Sequence, residues 1–426
     1  MREDLLHFIW RCDKLQGRPL TTSTSEHIVI KNPGTLNLHA GPDFFNAQIE
    51  VGGQLWAGNV EMHLKSSDWY VHHHEIDSNY DNVILHVVWE DDISVFRKDG
   101  TRVPTLELRN HIAPTILEKY QELFQHFNPA FINCEKDFTG FDSFLVNNYF
   151  ERLYIERLEQ KAILISDLLQ KFNNDWERTL FVLLMKNFGS KINGDFFMQR
   201  AIQLDFSKVR KTSVDLYQLE SLLFGYTGLL EIEDCNDTYY KALKSEYDYL
   251  SKKFKLDPPS LKPGFFGLRP ANFPTIRVSQ LAHLYHQHQN LFAKLLEVNK
   301  LDDIYSIFTA ETSPYWESHF TFGKISKTRK KKLSKRFIDL LIINTIIPLR
   351  FCYSKQIGID WANDLLSLVS KLNPEKNSII DGFKNFGSST ENALEGQAKL
   401  QLYNNYCSKN KCLHCTLGAH LLNRNT

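Results

Sequence analysis

The sequence predicts an α+β or α/β protein, in which an N-terminal mixed sheet with helices precedes a larger, mostly α-helical region. Two contrasting patterns predict this fold class. Residues 20–110 are rich in Gly, Thr, Val and Ile at alternating spacing, as in strands, whereas residues 140–426 carry long helical periodicities. We therefore expect an α/β domain at residues 1–115 and a mostly helical domain at residues 116–426, with room for two subdomains and a C-terminal cysteine cluster.

Short-range patterns predict the N-terminal elements. Apolar residues at helical spacing predict a helix over residues 5–10, and the segment 66–81 has the length of a short helix or a crossing loop. Gly52-Gly53 marks a two-residue hairpin turn. Residues 82–90 are apolar almost throughout, which is typical of a strand covered on both faces. Strands are predicted at residues 27–31, 44–51, 55–65, 82–90 and 103–108.

The remainder of the chain is predicted to be mainly helical. The proline-rich segment 258–274 indicates an ordered aromatic loop rather than a flexible linker. The longest apolar stretch, residues 337–349, is well short of the roughly 20 residues that cross a bilayer, so it predicts a buried core helix. Helices are predicted at residues 114–126, 145–169, 176–187 and 214–224, the last with Ser213 as its N-cap.

Composition excludes several classes of protein. Of the 426 residues, 42% are hydrophobic, and 50 basic against 50 acidic side chains give a formal net charge of zero. The chain is therefore neither a disordered polyelectrolyte nor a uniformly basic nucleic-acid coat. Two acids follow Met1-Arg2, and the apolar run after them is too short for a signal peptide. We expect a cytoplasmic protein that does not enter a membrane.

A cluster of titratable side chains is predicted at one end of the hairpin. With this turn, cross-strand partners have numbers that sum to about 105, which places Asp43 opposite Met62. Alternation places Glu61, His63 and Lys65 on one face of the returning strand. Carboxylates and imidazole are ligands for divalent metals, and a nearby lysine can orient water. Asp43, Glu61 and His63 are therefore candidate metal ligands.

The same elements resemble the core of the restriction-endonuclease-like nucleases, which use an Asp and a Glu-x-Lys motif. The resemblance implies that Asp43 and Glu61 hold Mg or Mn and that Lys65 or His63 assists the attacking water. The pattern departs from the family because His63 stands in the position of its Lys, and His63 itself could ligate the metal or act as a base. The implied function is a metal-dependent phosphodiesterase acting on DNA or RNA, with these four residues as catalytic candidates.

Other interpretations of these residues stay open. Asp43 follows a proline as a turn residue would, and the strand face could be solvated polar surface. The protein would then be a non-enzymatic interaction module with a degenerate nuclease-like domain and a protein partner of unknown identity. A hydrolase of small phosphorylated molecules that uses the histidine-rich segment as a second metal site is a third class. His72-His73-His74 is consistent with a surface tract, and His86, within an apolar strand, is typical of a hydrogen-bonded core histidine.

At the scale of the whole chain, a second resemblance covers nearly the full length. It is to a family of uncharacterised bacterial proteins typical of Bacteroidetes, and it implies domain architecture and bacterial origin but no reaction. The segments that carry it are Ala40-Gly41-Pro42-Asp43-Phe44, Gly58-Asn59-Val60-Glu61-Met62-His63, Ser67-Asp68-Trp69, Arg269-Pro270-Ala271-Asn272-Phe273-Pro274 and the terminal cysteines.

The C-terminal cysteines form a second candidate site. Cys407, Cys412 and Cys415 lie within nine residues, which is ligand-rich spacing for structural zinc or an iron–sulfur cluster. The arrangement resembles that of restriction-like nucleases that hold a cluster with one remote and three terminal cysteines, although the spacing differs. Three reduced, packed thiols are the alternative. A fourth ligand is unassigned, and the distant candidates are Cys12, Cys134 and Cys352.

One basic run stands out in a neutral chain. It can neutralise phosphates without reading sequence, so it is a candidate nucleic-acid contact, with a solvated helix start as the alternative. Arg269 and the phenylalanines around it could form a stacking surface for bases, or a proline-rich core plug. The candidate nucleic-acid-binding residues are Lys327, Arg329, Lys330, Lys331, Lys332, Lys335 and Arg336.

Overall fold

The computed structural model describes residues 1–17, 19–37, 39–124, 131–259 and 261–423. The chain divides into two compact units. Unit 1 comprises Met1–Val146 and Leu402–Thr426, and unit 2 comprises Asn147–Gln401. These bounds differ from residues 1–115 and 116–426, because the C-terminal segment returns to the N-terminal unit. The terminal cysteines therefore belong to the unit that contains the sheet.

Unit 1 is built on a six-stranded mixed sheet with the strand order β1-β3-β4-β5-β6, and β2 also pairs with β3. The β3–β4 pair is antiparallel, whereas β4–β5 and β5–β6 are parallel. The predicted strands are confirmed, and the predicted end of the helix at residue 126 lies outside the described residues. The elements are α1 Glu3–Arg11, β1 Ile28–Asn32, β2 Thr35–Leu36, β3 Phe44–Val51, β4 Gln54–Lys65, α2 Asp68–Val71, β5 Val83–Glu90, β6 Thr105–Glu107 and α3 Pro114–Phe124.

The hairpin differs from the predicted register by one residue at its open end. Near the Gly52-Gly53 turn the pairs follow the predicted sum, as in Val51 with Gln54. A β-bulge then shifts the register between Phe44 and Ala47, so Phe44 pairs with Val60. Asn46 occupies the bulge in the left-handed conformation, with φ 58°. The shift brings Asp43 beside Glu61 rather than Met62.

Both faces of the sheet in unit 1 are covered. On one face, α1 buries its apolar stripe, including Phe8 and Trp10, in a core that also contains Leu413 and Leu422 of the C-terminal segment. The other core cluster contains Trp69, Tyr80 and Val83, among others. Burial of each large apolar side chain stabilises the fold by roughly 1.5–3 kcal/mol. Coverage on both faces explains the continuous apolar run of β5.

Unit 2 is mainly helical, with one short hairpin. The predicted helices at residues 145–169 and 176–187 are confirmed. The elements are α4 Ser143–Lys171, α5 Trp176–Phe188, α6 Ser190–Gln203, α7 Phe206–Thr212, α8 Leu216–Tyr226, α9 Thr238–Phe254, α10 Pro274–Gln287, α11 Leu291–Glu297, α12 Leu301–Ile307, β7 His319–Thr321, β8 Lys324–Ile325, α13 Lys335–Leu341, α14 Ile347–Ile357, α15 Ala362–Ser370, α16 Ser378–Asn385 and α17 Ala393–Asn405, after which α18 Thr416–Asn423 lies in unit 1.

The predicted N-cap of α8 is wrong. The cap is Asp215, whose carboxylate accepts the backbone N–H groups of Tyr217 and Gln218 at 2.8 and 3.4 Å. Ser213 cannot serve because its hydroxyl donates to the carbonyl of Arg210 at 2.9 Å. A carboxylate at the N-terminus also interacts favourably with the helix dipole.

The long apolar helix is a core helix, as predicted, although it is longer than its sequence suggested. The helical segment Lys335–Ile357 has 23 residues, long enough to cross a bilayer, but 83% of its most apolar window is buried inside the protein. A π-helical turn, Ile342–Ile346, precedes Pro348. Proline cannot donate an N–H to the preceding turn, and the wider turn accommodates that loss.

Candidate metal centre

Strand β4 of unit 1 carries two titratable side chains into the interior. Glu61 and His63 lie two residues apart, so both point to the same face of the sheet. Both are buried, with 5% and 1% of their surfaces exposed. In the parallel partner strand β5, His86 is in register with Glu61. Charged and polar side chains are seldom buried in this way without partners, so their surroundings define the site.

The short helix α2 and the turn after it supply two more histidines. The chain leaves α2 through His73, which adopts the left-handed conformation with φ 61°. His73 is exposed, whereas His74 is buried and its ring stacks against that of His63 at a centroid distance of 5.3 Å. The ring of His72 lies 4.9 Å from that of His63. The backbone reversal at His73 therefore leaves the histidines on either side of it at the site.

The spacing of three histidines matches a metal-ligand set, and Glu61 lies beside two of them. One ring nitrogen from each of His63, His72 and His74 lies within 4.8 Å of the others. Nε2 of His63 is 3.0 Å from Nδ1 of His72. Oε1 of Glu61 is 3.5 Å from Nε2 of His63 and 3.3 Å from Nε2 of His74. Ligand atoms about 2.0–2.1 Å from a tetrahedral ion are separated by roughly 3.3 Å, so the three histidines suit a single metal ion with Glu61 next to it.

His86 orients His63. Nδ1 of His63 lies 2.9 Å from Nε2 of the fully buried His86. For Nε2 of His63 to present a lone pair to a metal, its Nδ1 must carry the proton and donate to His86. Histidines that bind metals usually hydrogen-bond through their other ring nitrogen in this way. His86 is thus the hydrogen-bonded core histidine that its sequence context indicated, and it also positions a candidate ligand.

The electrostatics of the site favour a bound cation. Burial, followed by repulsion from neighbouring imidazoles, lowers the pKa of His63 to about 2, and burial lowers the pKa of His86 to about 3. These rings are therefore neutral and hold lone pairs. Burial and the charge of Asp43 raise the pKa of Glu61 well above its usual value. A divalent cation beside Glu61 would stabilise the carboxylate that burial disfavours.

Asp43 links the site to helix α1. Its backbone N–H donates to Oε2 of Glu61 at 3.1 Å, and its own Oδ2 accepts the backbone N–H of Met62 at 2.9 Å. Nε2 of His7, on α1, lies 3.2 Å from the same Oδ2. Burial lowers the pKa of His7, but the hydrogen bond to Asp43 and its charge raise it more, so the net shift is upward. Asp43 therefore lies between His7 and Glu61, and His7 is the side chain there whose pKa is shifted towards the protonated form.

The structure brings together three of the four residues predicted from the hairpin, Asp43, Glu61 and His63. Lys65 is the last residue of β4, where it pairs with Glu90 and is exposed. His7, His72 and His74 were not among the predicted residues of the hairpin site. Both His72 and His73 are exposed, as a surface tract would be, but His72 also lies at the site and His74 is buried. The sequence contained two signals for these residues. Glu3 and His7 are four residues apart, so they share one face of a helix, and three consecutive histidines at 72–74 are an unusual concentration of ligand-type side chains.

A second group of ligand-type side chains lies elsewhere in unit 1. One enclosed cavity is lined by four cysteines, Cys134, Cys407, Cys412 and Cys415, and by leucines such as Leu417. All seven cysteines lie in the described ranges and are thiols rather than disulfides. Burial and the neighbouring sulfurs raise the thiol pKa of Cys134 and Cys407, and burial raises that of Cys412 to about 11. Of the three distant candidates, Cys134 lines the same cavity as the terminal three cysteines.

The basic run of unit 2 is only partly available to a ligand. Lys331 is 6% exposed, and its ammonium donates to the carbonyls of Trp316 and Glu317. Lys330 and Lys332 lie 3.8 and 3.9 Å from the carboxylate of Glu311. Lys331 therefore does not belong to an exposed phosphate-binding surface, because its ammonium group is buried and donates to backbone carbonyls. Arg336, in α13, is exposed.

By fold and site, the protein is an α+β protein with a mostly helical second unit and a candidate histidine–carboxylate metal centre. The chain belongs to the family described as "Protein of unknown function (DUF2851)", whose model matches residues 3–378. The expected membership of an uncharacterised family along nearly the whole chain is confirmed. The match includes every residue of the candidate centre and Cys134, and it ends before the terminal cysteines. Neither the curated proteins nor the solved structures contain a match to the chain.

Proposed function

We propose that unit 1 is a metal-dependent phosphodiesterase that hydrolyses nucleic acid, either DNA or RNA. The observation that carries the proposal is the convergence of His63, His72 and His74 at metal-ligand spacing, with the carboxylate of Glu61 beside two of them and Asp43 next to Glu61. A fold gains little stability from burying a carboxylate among neutral imidazoles, so such a cluster indicates function rather than packing.

The donor set determines which ions fit. Imidazole nitrogens suit zinc and iron, whereas magnesium and manganese prefer oxygen ligands. A donor set of three imidazoles therefore favours zinc, and manganese, one of the two ions implied by the nuclease resemblance, is the second candidate. When bound, such an ion supplies Lewis-acid polarisation of a phosphoryl oxygen and an activated water. His63, His72, His74 and Glu61 would hold it.

The remaining residues have roles that follow from their contacts. His86 holds the ring of His63 in place through the 2.9 Å hydrogen bond. Asp43 fixes Glu61 through its backbone N–H, and it holds His7 as a hydrogen-bonded proton carrier. In this arrangement His7 is the group positioned to transfer a proton at the edge of the site. Lys65, exposed at the end of β4, is assigned the water-orienting role only through the family resemblance.

The order of elements supports the choice of a phosphodiester substrate. A helix, an antiparallel hairpin that carries Asp43 and Glu61, a crossing segment and the parallel strand β5 follow one another as in the nuclease-like core. The departure at His63 argues for an imidazole-rich centre in place of the lysine of that core. The proposal therefore joins a nuclease-like arrangement of strands to a different set of ligands.

Calorimetric titration with manganese and with zinc tests the centre directly. Beyond any zinc that the four cysteines take up, wild type should bind one ion, and His74→Ala and Glu61→Gln should abolish that binding. His73→Ala is the matched control, because His73 is the exposed neighbour and should bind like wild type. Cleavage of DNA and RNA should require the ion and be lost in Asp43→Ala with the fold intact. Absence of metal binding in wild type would favour the interaction module instead.

We also propose that Cys134, Cys407, Cys412 and Cys415 hold a structural zinc ion or iron–sulfur cluster. Four thiols around one apolar, enclosed cavity are the donor set of such centres. The centre would fasten the C-terminal segment to the chain near Cys134. Element analysis and visible absorbance distinguish zinc from an iron cluster. Cys134→Ser should release the metal and Cys352→Ser should not, and a metal-free wild type would refute the assignment.

A further inference from the structure

A groove in unit 2 collects positive charge. It has a volume of about 810 Å³, and its lining includes four cationic residues and one acid, Glu375. The carboxylate of Glu375 already accepts the side-chain amide of Gln397 at 3.1 Å. The cations come from four separate segments, the first turns of α6 and α10, the proline-rich loop and α13. They are Lys191, Arg269, Arg277 and Arg336.

Arg277 is the most informative of these residues because its charge is buried without an anionic partner. It is 5% exposed, and its guanidinium lies 3.5 Å from the ring centroid of Phe337. Its terminal nitrogens donate to the side-chain oxygens of Gln280 and Asn272 at 2.9 and 2.6 Å. Its Nε is buried and has no hydrogen-bond partner among the described residues. Among those residues it also forms no ion pair with a carboxylate.

A buried guanidinium held by neutral amides and an aromatic ring, with no carboxylate among the described residues, is costly unless an anion approaches it. The amides fix its plane, since Gln280 also donates to the carbonyl of Lys331 at 2.9 Å. Arg269 and Arg336 are exposed at the same groove. Planar guanidinium groups match the oxygens of phosphate, and Arg is the usual residue for that recognition. The groove thus combines one buried arginine, held in place by amides, with two exposed ones.

We propose that this groove is a phosphate-binding site, with Arg269, Arg277 and Arg336 as its contacts, and that the phosphate belongs to a nucleic-acid strand. The phosphate chemistry rests on unit 2 alone, whereas the nucleic-acid source rests on the proposed function. One feature favours a strand over a small phosphorylated molecule. Phe266, next to the groove-lining Gly267, is 96% exposed, as an aromatic ring that stacks on a base would be.

The test uses exposed residues, so that folding is preserved. Arg269→Gln/Arg336→Gln removes two charges from the groove, and Lys330→Gln/Lys332→Gln removes two charges from the lysines that face Glu311. Binding of a labelled single-stranded oligonucleotide is measured by fluorescence anisotropy in EDTA, where cleavage is absent. We expect the arginine variant to bind about tenfold or more weakly and the lysine variant to change by less than about threefold. The arginine variant should also flatten the dependence of affinity on salt.

A second pair of measurements separates the phosphate from its source. Calorimetry with pyrophosphate should show binding that Arg269→Gln/Arg336→Gln removes and Phe266→Ala leaves intact. Phe266→Ala should weaken oligonucleotide binding by about fivefold or more, since stacking on one base contributes roughly 1–3 kcal/mol. If the protein binds pyrophosphate but not the oligonucleotide, the site is one for a small phosphorylated ligand, and the proposal that the phosphate belongs to a nucleic-acid strand is wrong.

Two results would overturn the phosphate site itself. Wild type that binds neither probe would do so, and so would equal losses in the arginine and lysine variants, because bulk charge would then explain binding. Failure of the metal centre is distinguishable, since every binding measurement is made without metal. A protein that binds the oligonucleotide through the groove but takes up no manganese or zinc would retain this inference and lose the proposed hydrolysis.

Discussion

Two buried glutamates, one in each unit, have opposite surroundings. Glu220 in unit 2 is 1% exposed, and its side-chain hydrogen bonds within the described residues come from three donors. Its Oε1 accepts the indole N–H of Trp316 at 2.8 Å, and its Oε2 accepts the hydroxyls of Tyr239, at 2.9 Å, and Ser313. A carboxylate whose oxygens are satisfied in this way rigidifies the core around it.

Glu61 in unit 1 is equally inaccessible but differently surrounded. It accepts one backbone N–H, from Asp43, and its other oxygen faces ring nitrogens of His63 and His74. Burial keeps the ring of His63 neutral, so its partners offer lone pairs as readily as protons. The comparison teaches that burial alone does not mark a functional carboxylate. The distinguishing feature is whether the protein itself supplies the positive end of each contact.

The largest expected effect on stability comes from replacing the structural glutamate, Glu220. Glu220→Ala leaves the donors of Trp316, Tyr239 and Ser313 buried without an acceptor, and each such group costs about 1–3 kcal/mol. We expect the free energy of unfolding to fall by at least about 3 kcal/mol in urea titrations. Glu233→Ala, at an exposed glutamate of the same unit, should change it by less than about 0.5 kcal/mol. Similar values for the two variants would contradict the structural role of Glu220.

The next effect concerns the other glutamate and requires metal. A ligand present at 100 times its dissociation constant stabilises the folded state by about 2.7 kcal/mol. We therefore expect manganese, which thiolates do not favour, to raise the melting temperature of wild type and of His73→Ala. Glu61→Gln and His74→Ala should show no such rise. Equal stabilisation of all four proteins would mean that the ion binds elsewhere.

The pH dependence of stability should sharpen the contrast further. In metal-free protein the pKa of Glu61 is raised on folding, so between its ordinary value of about 4.3 and the raised value the folded state holds one proton more than the unfolded state. Stability therefore falls as pH rises through that window, by at most about 1.4 kcal/mol per pH unit. Glu61→Gln should remove this slope and be the more stable protein at high pH. Urea titrations at several pH values within this window measure the free energy of unfolding of both proteins. If it changes with pH in the same way for wild type and Glu61→Gln, the pKa of Glu61 is not raised on folding.

Much of unit 1 could be predicted because its signals are local. Alternation, the Gly52-Gly53 turn and the apolar run of β5 determine strands within a few residues of their observed ends. Glu61 and His63 are two residues apart on one strand, and strand geometry alone places both side chains on the same face. The three helices predicted in unit 2, at residues 145–169, 176–187 and 214–224, follow from periodicity in the same way. The cap of α8 could not be predicted without knowing that the Ser213 hydroxyl donates to a carbonyl.

The rest of the site depends on long-range placement that the sequence does not contain. His72 and His74 reach Glu61 through a left-handed residue after α2, and His7 arrives from a helix 36 residues before Asp43. Cys134 and the terminal cysteines are joined because the chain end returns to unit 1. The basic run looked uniform in sequence, yet Lys331 turns inward. Tertiary packing decided each of these outcomes.

The smallest expected effect tests the bulge that sets Asp43 beside Glu61. Asn46 is held at φ 58°, where most side chains cost roughly 1–2 kcal/mol, Asn costs less, and glycine is unstrained. Asn46→Ala should lower the free energy of unfolding by about 1 kcal/mol, Asn46→Gly should leave it nearly unchanged, and Gln48→Ala, at an exposed position of the same strand, is the control. If the bulge positions the site, Asn46→Ala should also weaken manganese binding while Gln48→Ala does not. Unchanged metal affinity in Asn46→Ala would show that Glu61 and the histidines form the centre without the help of Asp43.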